Sequence, residues 1–284
     1  MKHQRRLSPA TLSNYARALQ LLLVLQKDIP VKDLEAANVR RFIAQLHSKG
    51  LAPRTLALVL SAWRGWFRWL VRHRGFGANP VLGIRAPKAA KPLPKALSVE
   101  QAERLLSPED ESSPWSLRDR AMFELLYSSG LRLAELVALD LGDGRLDIGQ
   151  GEVTVTGKGS KTRTVPVGAR AREALAAWIS VRNSVAVAHV KALFVGTRGK
   201  RIAPAVVGQR LQAWAQRRGL GARVHPHMLR HSFATHVLQS SQDLRAVQEM
   251  LGHASISTTQ VYTHLDFQAL AKVYDAAHPR AKKR

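Results

Sequence analysis

The 284-residue sequence has no cysteine and no long apolar run. The lack of cysteine excludes disulfides, thiolate metal sites and cysteine nucleophiles. The longest apolar candidate, residues 19–25, spans seven residues and includes Gln20, whereas a membrane helix needs about 18 apolar residues. The basic N-terminus lacks the apolar core of a signal peptide. We therefore expect a cytoplasmic protein with no membrane partner.

Acidic residues are also scarce, since 20 Asp and Glu stand against 44 Lys and Arg, for a net charge of +24 and a pI near 11.4. Such an excess repels itself unless a polyanion neutralises it, so nucleic acid is the first partner to consider. A ribosome-associated protein or a solvated basic surface is the alternative. The sequence contains no carboxylate cluster of the kind that holds two catalytic metals. We expect no metal and no cofactor, and phosphate chemistry would then rely on fixed Arg and Lys cations.

The charge is distributed unevenly along the chain. Residues 1–95 contain 18 Lys and Arg against 3 Asp and Glu, whereas residues 96–284 contain 26 against 17. Between them lies the segment NPVLGIRAPKAAKPLP, whose four prolines and lack of helical period are typical of a linker. We predict an N-terminal domain over residues 1–85, a linker over 86–96 and a second domain over 97–284.

Apolar residues at helical spacing predict three helices in the first domain. The first begins at Ser8-Pro9, the second ends at Gly50 and the third begins at Pro53. Their predicted core positions are Leu12, Tyr15, Leu19, Leu22 and Leu23; Leu34, Phe42, Ile43 and Leu46; and Leu56, Leu60, Trp63, Trp66, Phe67 and Leu70. Phosphate contacts are predicted for Arg64, Arg68, Arg72 and Arg74 beside the third stripe. So basic a helical module suggests a clamp that closes on DNA.

The second domain is predicted to be mixed but mainly helical. We expect helices at residues 98–106, 115–129, 132–139, 169–182, 206–219, 226–239 and 243–251, and from 258 onward. The segment EVTVTGKGSKTRTVPVG predicts a hairpin in which Val153 and Val155 face Val165 and Val167. The fold class is therefore mainly α with a small antiparallel β-sheet.

Four motifs of the second domain carry residues suited to phosphodiester cleavage, which needs a nucleophile, cations for the charged oxygens and a proton for the leaving oxygen. His227 and Arg230 lie three positions apart and therefore share one helical face. Each motif alone is a weak signal. The candidate residues are Arg132 with Glu135, Lys158 in the hairpin turn, His227 with Arg230, and His253 with Tyr262.

In this order and spacing, the motifs resemble those of the tyrosine recombinase (phage-integrase-type) family. HPHMLRHSFATH and LGHASISTTQVYTH resemble the Xer recombinases more closely, in particular their XerC branch, and the resemblance extends from about Leu7 to the C-terminus. It implies a SAM-like, core-binding N-terminal helical bundle followed by a tyrosine-recombinase catalytic domain. The family usually has another helix before the Ser8-Pro9 segment, so either the chain start is shortened or the clamp has lost a helix.

The resemblance also implies how the strand is cut. Tyr262 would attack the scissile phosphate and hold the 3′ phosphate covalently, which frees a 5′ hydroxyl. Arg132 and Arg230 would bind the non-bridging oxygens. Tyrosine has an ordinary pKa of about 10, so neighbouring cations help to make it a nucleophile.

Three further residues would complete the reaction. Lys158 would protonate the leaving 5′ oxygen, with Lys161 as the alternative, His227 would assist proton transfer, and His253 would donate a hydrogen bond to the phosphate. We expect Glu135 to be structural and to pair with a cation or support Arg132. Core, capping or backbone contacts are expected for His225, His231, His236 and His264.

The implied partners are double-stranded DNA with a short near-palindromic site, a sister Xer-type recombinase in a heterotetramer, and an activator such as a DNA translocase. The implied role is to resolve chromosome dimers before cell division. Alternative readings are an integrase of a phage, transposon or integron, or a type IB topoisomerase. An architectural DNA-binding protein without catalysis is the alternative from another class.

The segment after Tyr262 also predicts a buried helical face. Leu270, Val273 and Tyr274 share that face, and such a stripe must be covered. It could pack on its own domain or on a neighbouring protomer. The resemblance favours the neighbouring protomer, so we expect the tail to dock there.

Overall fold

The computed structural model describes residues 9–27, 29–88, 96–108, 113–157, 161–221, 223–252 and 264–281, with the backbone alone at 9–10 and 264–270. The chain divides into two compact units, Met1–Pro92 and Leu93–Arg284. Within the described ranges, no helix is both long enough and apolar enough to cross a membrane.

The first unit is a bundle of three α-helices, α1 (Pro9–Gln26), α2 (Ala36–Ser48) and α3 (Pro53–His73), with a short 3-10 helix at Val31–Asp33. Proline opens α3 at a position where its missing N–H has no helical partner to lose. The predicted core is largely confirmed, because Leu22, Phe42, Ile43, Leu46, Leu56, Leu60, Trp63, Phe67 and Leu70 are buried together. Leu23 is 51% exposed, which contradicts its predicted core position, and Tyr15, Leu19 and Trp66 are only partly buried against this core.

The chain after α3 continues to pack on this bundle. Val81 and Ile84 belong to its buried core. The Arg64 guanidinium donates a 2.8 Å hydrogen bond to the carbonyl of Ile84, and the Asn79 amide donates to the carbonyl of Arg64. Arg64, which the sequence assigned to phosphate, therefore also anchors the segment that leaves the bundle.

Helices dominate the second unit, as predicted. Its elements are α4 (Val99–Leu106), α5 (Pro114–Ser129), α6 (Leu133–Ala138), β1 (Leu146–Asp147), β2 (Glu152–Thr156), β3 (Thr162–Pro166), α7 (Ala169–Arg182), α8 (Pro204–Arg217), α9 (Pro226–Ser241), α10 (Leu244–Leu251) and α11 (His264–Ala277). Helix α5 is buried on every side from Arg118 to Ser129 and packs against α7 and α9. A helix buried all round is the centre of a domain rather than its surface.

The sheet is antiparallel, in the order β1-β2-β3. The hairpin is confirmed, and Val153 faces Val165. Val155 faces Arg163 instead of a valine, and Val167 lies beyond the end of β3, so the prediction that the two valines of each strand face one another holds for one pair only. The inward side of β3 therefore carries a buried arginine, Arg163, where the prediction had placed only valines.

Helix α11 packs on α9 and β3 of the same chain. Tyr274 is buried there, its hydroxyl lies 2.6 Å from the Ser128 hydroxyl, and its ring stacks on His278. Val273 packs partly on the same core, while the side chain of Leu270 lies outside the described residues. The predicted docking of Tyr274 on a neighbouring protomer is therefore wrong for this structure, because α5 offers a small polar residue that receives the phenol within the same domain.

Candidate active site

Arg132 stands at the junction of α5 and α6. Gly130 ends α5 with a φ of 57°, and a side chain there would overlap the Phe233 ring, so the turn requires glycine. Arg132 then caps α6, and Glu135 accepts hydrogen bonds from its backbone N–H and from its Nη1, each 2.8 Å long. The expectation that Glu135 supports Arg132 is confirmed. The cap fixes the base of the Arg132 side chain, which remains 39% exposed.

A second arginine, Arg163 of β3, also binds Glu135. Its Nη1 and Nη2 each donate a 2.8 Å hydrogen bond to one Glu135 oxygen, in the planar fork that guanidinium and carboxylate groups favour. Its Nε donates to the carbonyl of Met250, also at 2.8 Å. Sequence reasoning missed this residue, although an arginine two positions from a core valine in a strand was a usable signal.

Glu135 is held as a carboxylate despite its burial. Burial alone would raise its pKa, but the hydrogen bonds from Arg163 and from the backbone and side chain of Arg132, with the positive charge of Arg163, lower that pKa to about 2. Two oxygens that accept four hydrogen bonds have all their lone-pair sites occupied. Glu135 therefore has no role left as an acid or base and acts as the anchor of two arginines.

Arg230 lies on α9, close to the same centre. His225 caps this helix by accepting the N–H of Met228 on its Nδ1, which confirms its predicted capping role. The Arg230 side chain is buried, and it donates to the carbonyls of Gly130 and Leu251. Burial, followed by the charges of Arg132 and Arg163, lowers the pKa of Arg230 to about 10. The residue still carries its positive charge at neutral pH.

The C-terminal end of α10 brings the three arginines together. Arg163 donates to the carbonyl of Met250 and Arg230 to that of Leu251, at 2.5 Å, while Arg132 reaches that of Gly252 at a longer 3.5 Å. These carbonyls have no partner inside the helix, and a helix C-terminus favours cations. Three positive charges are thus concentrated where the chain enters residue 253.

His227 lies one helical turn before Arg230, on the exposed side of α9. Partial burial lowers its pKa, and the charges of Arg230, His225, His231 and Arg132 lower it further. The imidazole is therefore neutral at neutral pH. In that form one of its nitrogens can accept a proton.

Three predicted site residues, Lys158, His253 and Tyr262, lie outside the described residues. The described neighbours of Lys158 and His253, Gly157 and Gly252, lie beside the arginines. A side chain added at Gly157 would lie 3.6 to 3.7 Å from Arg132, Glu135 and Arg163. One added at Gly252 would lie 3.0 Å from the Arg163 side chain.

His236 is buried in the core, as expected. Its Nδ1 lies 2.8 Å from the Tyr127 hydroxyl, and its Nε2 lies 2.9 Å from the carbonyl of Leu97. His278, which sequence reasoning missed, is also buried, and burial lowers its pKa to about 3. The described residues include no group of three or more His, Asp or Glu that could hold a metal ion.

Comparison with known proteins gives the class of this chain. Residues 95–269 match the model of the phage integrase family, and residues 1–74 match that of the phage integrase N-terminal SAM-like domain. The chain therefore belongs to the phage integrase family. It is an enzyme of the tyrosine recombinase type, as the resemblance of its motifs predicted.

Similar curated proteins are tyrosine recombinases with the name XerC. The chain is 54% identical to XerC 1 of Ralstonia nicotianae over 305 residues, which cover 100% of this chain and 92% of the relative. It is 50% identical to XerC of Salmonella typhi over 283 residues, which cover 99% of this chain and 93% of the relative.

Solved structures of recombinases share the fold. The XerH site-specific recombinase bound to its palindromic difH substrate, in a post-cleavage complex, matches with a TM-score of 0.72 at 25% identity, over 95% of this chain and 81% of that one. A lambda integrase dimer bound to a COC′ core site matches with a TM-score of 0.69 at 18% identity, over 90% of this chain and 93% of that one. At 18% identity the likeness extends to the fold alone.

Proposed function

We propose that this chain is a site-specific recombinase that cuts and rejoins double-stranded DNA through a 3′-phosphotyrosine bond on Tyr262. The observation that carries the proposal is the convergence of Arg132 and Arg230 on the carbonyls at the end of α10. Two guanidinium groups in fixed positions can neutralise the two non-bridging oxygens of a phosphate as charge builds in the transition state. The Glu135 carboxylate does not compete with that phosphate, because its oxygens are already occupied by hydrogen bonds.

The remaining steps are assigned to four residues. Tyr262 attacks the phosphorus and the 5′ oxygen leaves, taking a proton from Lys158. His227, neutral because its pKa is lowered, accepts the proton of the tyrosine hydroxyl. His253 donates a hydrogen bond to the phosphate. The phosphotyrosine conserves the energy of the broken bond, so rejoining uses the same groups in reverse and needs neither a metal nor ATP.

The domains divide the work in this proposal. Residues 1–85 form a clamp on DNA, residues 86–96 connect it, and residues 97–284 carry out catalysis. The excess of 18 basic over 3 acidic residues in the first 95 positions supports the clamp, because its attraction to phosphate does not depend on sequence.

The proposed substrate is a short near-palindromic chromosomal site in the cytoplasm. The partner is a sister Xer-type recombinase, with two copies of each chain in a heterotetramer, and a DNA translocase or another activator starts cleavage. Resolution of chromosome dimers follows from this assembly. Identities of 50% and 54% to XerC proteins over nearly the whole chain support this choice over a phage or transposon integrase.

A nicked duplex tests the proposal. The nick is placed a few nucleotides to the 3′ side of the scissile phosphate of a candidate chromosomal site, so that the short 5′-hydroxyl fragment is lost after cleavage. The wild-type protein, with a sister recombinase present, should form an adduct that resists denaturation. Tyr262→Phe should form none and yet bind the same DNA with unchanged affinity, because the lost hydroxyl makes the new bond but adds little to binding. An adduct with Tyr262→Phe would show that another residue is the nucleophile, and a wild-type protein that binds without any adduct would favour an architectural protein.

A further inference from the structure

We infer that Arg163 is a positioning residue of the recombination reaction, which fixes Arg132 through Glu135 and packs beside the two chain segments that lead to Lys158 and His253. The inference rests on the proposed function. Arg163 itself does not contact the phosphate in this scheme. Its side chain is only 7% exposed, and its described hydrogen bonds go to Glu135 and Met250.

The first link runs from Arg163 to Arg132. Glu135 is shared between the two arginines, since Nη1 of each donates to the same oxygen, Oε1, at 2.8 Å. The other oxygen, Oε2, accepts Nη2 of Arg163 and the backbone N–H of Arg132. Arg163 therefore fixes the plane of the carboxylate, and that plane fixes where the Arg132 guanidinium lies.

The second link runs from Arg163 to the segment that precedes His253. Its Nε donates to the carbonyl of Met250, and its Cδ would be 3.0 Å from a side chain at Gly252. Gly252 has a φ of 61°, a conformation that glycine adopts without strain. Glycine therefore allows the backbone to pass directly over the Arg163 side chain just before it enters residue 253.

The third link runs to the hairpin turn that carries Lys158. Gly157 lies against Arg132, Glu135 and Arg163 at once, within 3.6 to 3.7 Å of a side chain placed there. The Gly157 N–H is held by the carbonyl of Lys161, at 2.7 Å. One buried guanidinium thus lies beside the segments that lead to Lys158 and His253 and indirectly holds Arg132.

This role requires arginine rather than any cation. The planar guanidinium donates in three directions to Glu135 and Met250, whereas a lysine ammonium on a flexible chain cannot reproduce the fork. Without Arg163, burial would still raise the pKa of Glu135, while the two hydrogen bonds and the positive charge that Arg163 supplies would be gone. The charged groups that would still face Glu135 are Arg132 beside it and Arg230 of α9. Protonated Glu135 would then release Arg132.

The experiment compares Arg163→Met, Arg163→Lys and the control Arg182→Met. Arg182 is equally buried in the same unit and donates to the carbonyls of Val190 and Ala192, so its loss tests the general cost of removing a buried arginine. DNA affinity, thermal unfolding and the single-turnover rate of adduct formation on the nicked site are measured from about pH 5 to pH 9. Adduct formation by the wild-type protein is measured first. If the wild type forms no adduct, that result counts against the proposed function and not against the role of Arg163.

We expect Arg163→Met to bind DNA with nearly wild-type affinity and to form the adduct about 10- to 100-fold more slowly, as is usual when the support of a reacting group is lost. The rate should also gain a second acid limb, falling as the pH falls, beyond the one that protonation of His227 causes in the wild type. Adding Glu135→Gln to Arg163→Met should remove that limb. Arg163→Lys should keep the charge and still be slow. Arg182→Met should lose stability but keep the wild-type rate and pH profile.

A rate for Arg163→Met equal to that of the wild type, or a slow rate with the same pH profile as the wild type, would overturn the inference. The same is true if Arg182→Met slows the reaction as much as Arg163→Met. Should Arg163→Met fail to unfold cooperatively, Arg163→Lys decides alone, and full activity in that variant would overturn the need for the guanidinium fork.

Discussion

The two units of this chain handle charge in opposite ways. In the first unit the described core is apolar, and the arginines of α3 lie at its surface or only partly buried. In the second unit many charged side chains are buried, namely Arg118, Asp119, Arg120, Glu124, Glu135, Arg163, Arg182, Arg218 and Arg230. Surface charges attract a polyanion at long range and are screened by salt, whereas buried charges keep a fixed geometry and are screened little. The comparison supports the proposal that the first unit attracts DNA and the second unit carries out the chemistry.

Deletion of the first unit, residues 1–92, should have the largest effect, and the quantity that it changes is DNA affinity. DNA affinity should fall steeply, and the slope of log affinity against log salt should flatten, because each phosphate that is no longer neutralised removes about 0.9 from that slope. Binding titrations at several salt concentrations measure it. A truncated protein with the slope of the full chain would show that the first unit is not the source of the attraction.

Lys158→Ala should distinguish a cation of the second unit that donates a proton from one that only stabilises charge. We expect it to be inactive on ordinary DNA and largely active on DNA with sulfur at the 5′ bridging position, because a thiolate leaves without a proton. Arg230→Ala should be slow on both substrates, since its task is to stabilise charge. Adduct formation on the paired substrates gives the result. Rescue of both variants, or of neither, would contradict the assignment, and rescue of Lys161→Ala instead would move the role to Lys161.

Arg280→Met should expose the energetic cost of a buried charge. Arg280 binds Glu124 with its Nε and Nη2 at the end of the chain, yet burial raises the pKa of Glu124. Loss of the arginine should cost about 3–5 kcal/mol of unfolding free energy near pH 8. The loss should shrink as the pH falls, because a carboxyl whose folded pKa is raised is destabilising only when it is ionised. Denaturant unfolding at several pH values, with Arg280→Met/Glu124→Leu as the control that regains stability, measures the effect. A loss that does not depend on pH would contradict this explanation.

The smallest effect should be that of salt on the rate of adduct formation by protein that is already bound to DNA. Once the protein has saturated the DNA, the rate of adduct formation should change little when salt is raised, because Arg230, which binds the phosphate in this proposal, is buried. Single-turnover rates at saturating protein, at low and at moderate salt, test this prediction. A rate that falls as steeply as the affinity would place the important charges at the surface.

Periodic apolar residues were enough to predict the helices of both units, since burial of one face has a period that can be counted. The partners of buried polar groups could not be predicted in the same way. Arg163 and Glu135 are 28 positions apart and meet only because β3 lies beside the start of α6. Tyr274 and Ser128 are separated by 146 positions, so the helical stripe predicted that Tyr274 is buried but not where. The two-residue strand β1 was too short to show any alternation.

The arginines at the end of α10 have a consequence for the entropy of phosphate binding. Arg230 is already held by a backbone carbonyl and Arg132 by Glu135, so part of the rotational freedom of both phosphate-binding arginines is lost when the protein folds. Ordering such a long side chain at the moment of binding would cost about 0.5–1.5 kcal/mol for each one. A phosphate that arrives at this site therefore finds most of the entropy of the two arginines already removed, and nearly all of its attraction to Arg230 and Arg132 remains to stabilise the crowded phosphorus of the transition state.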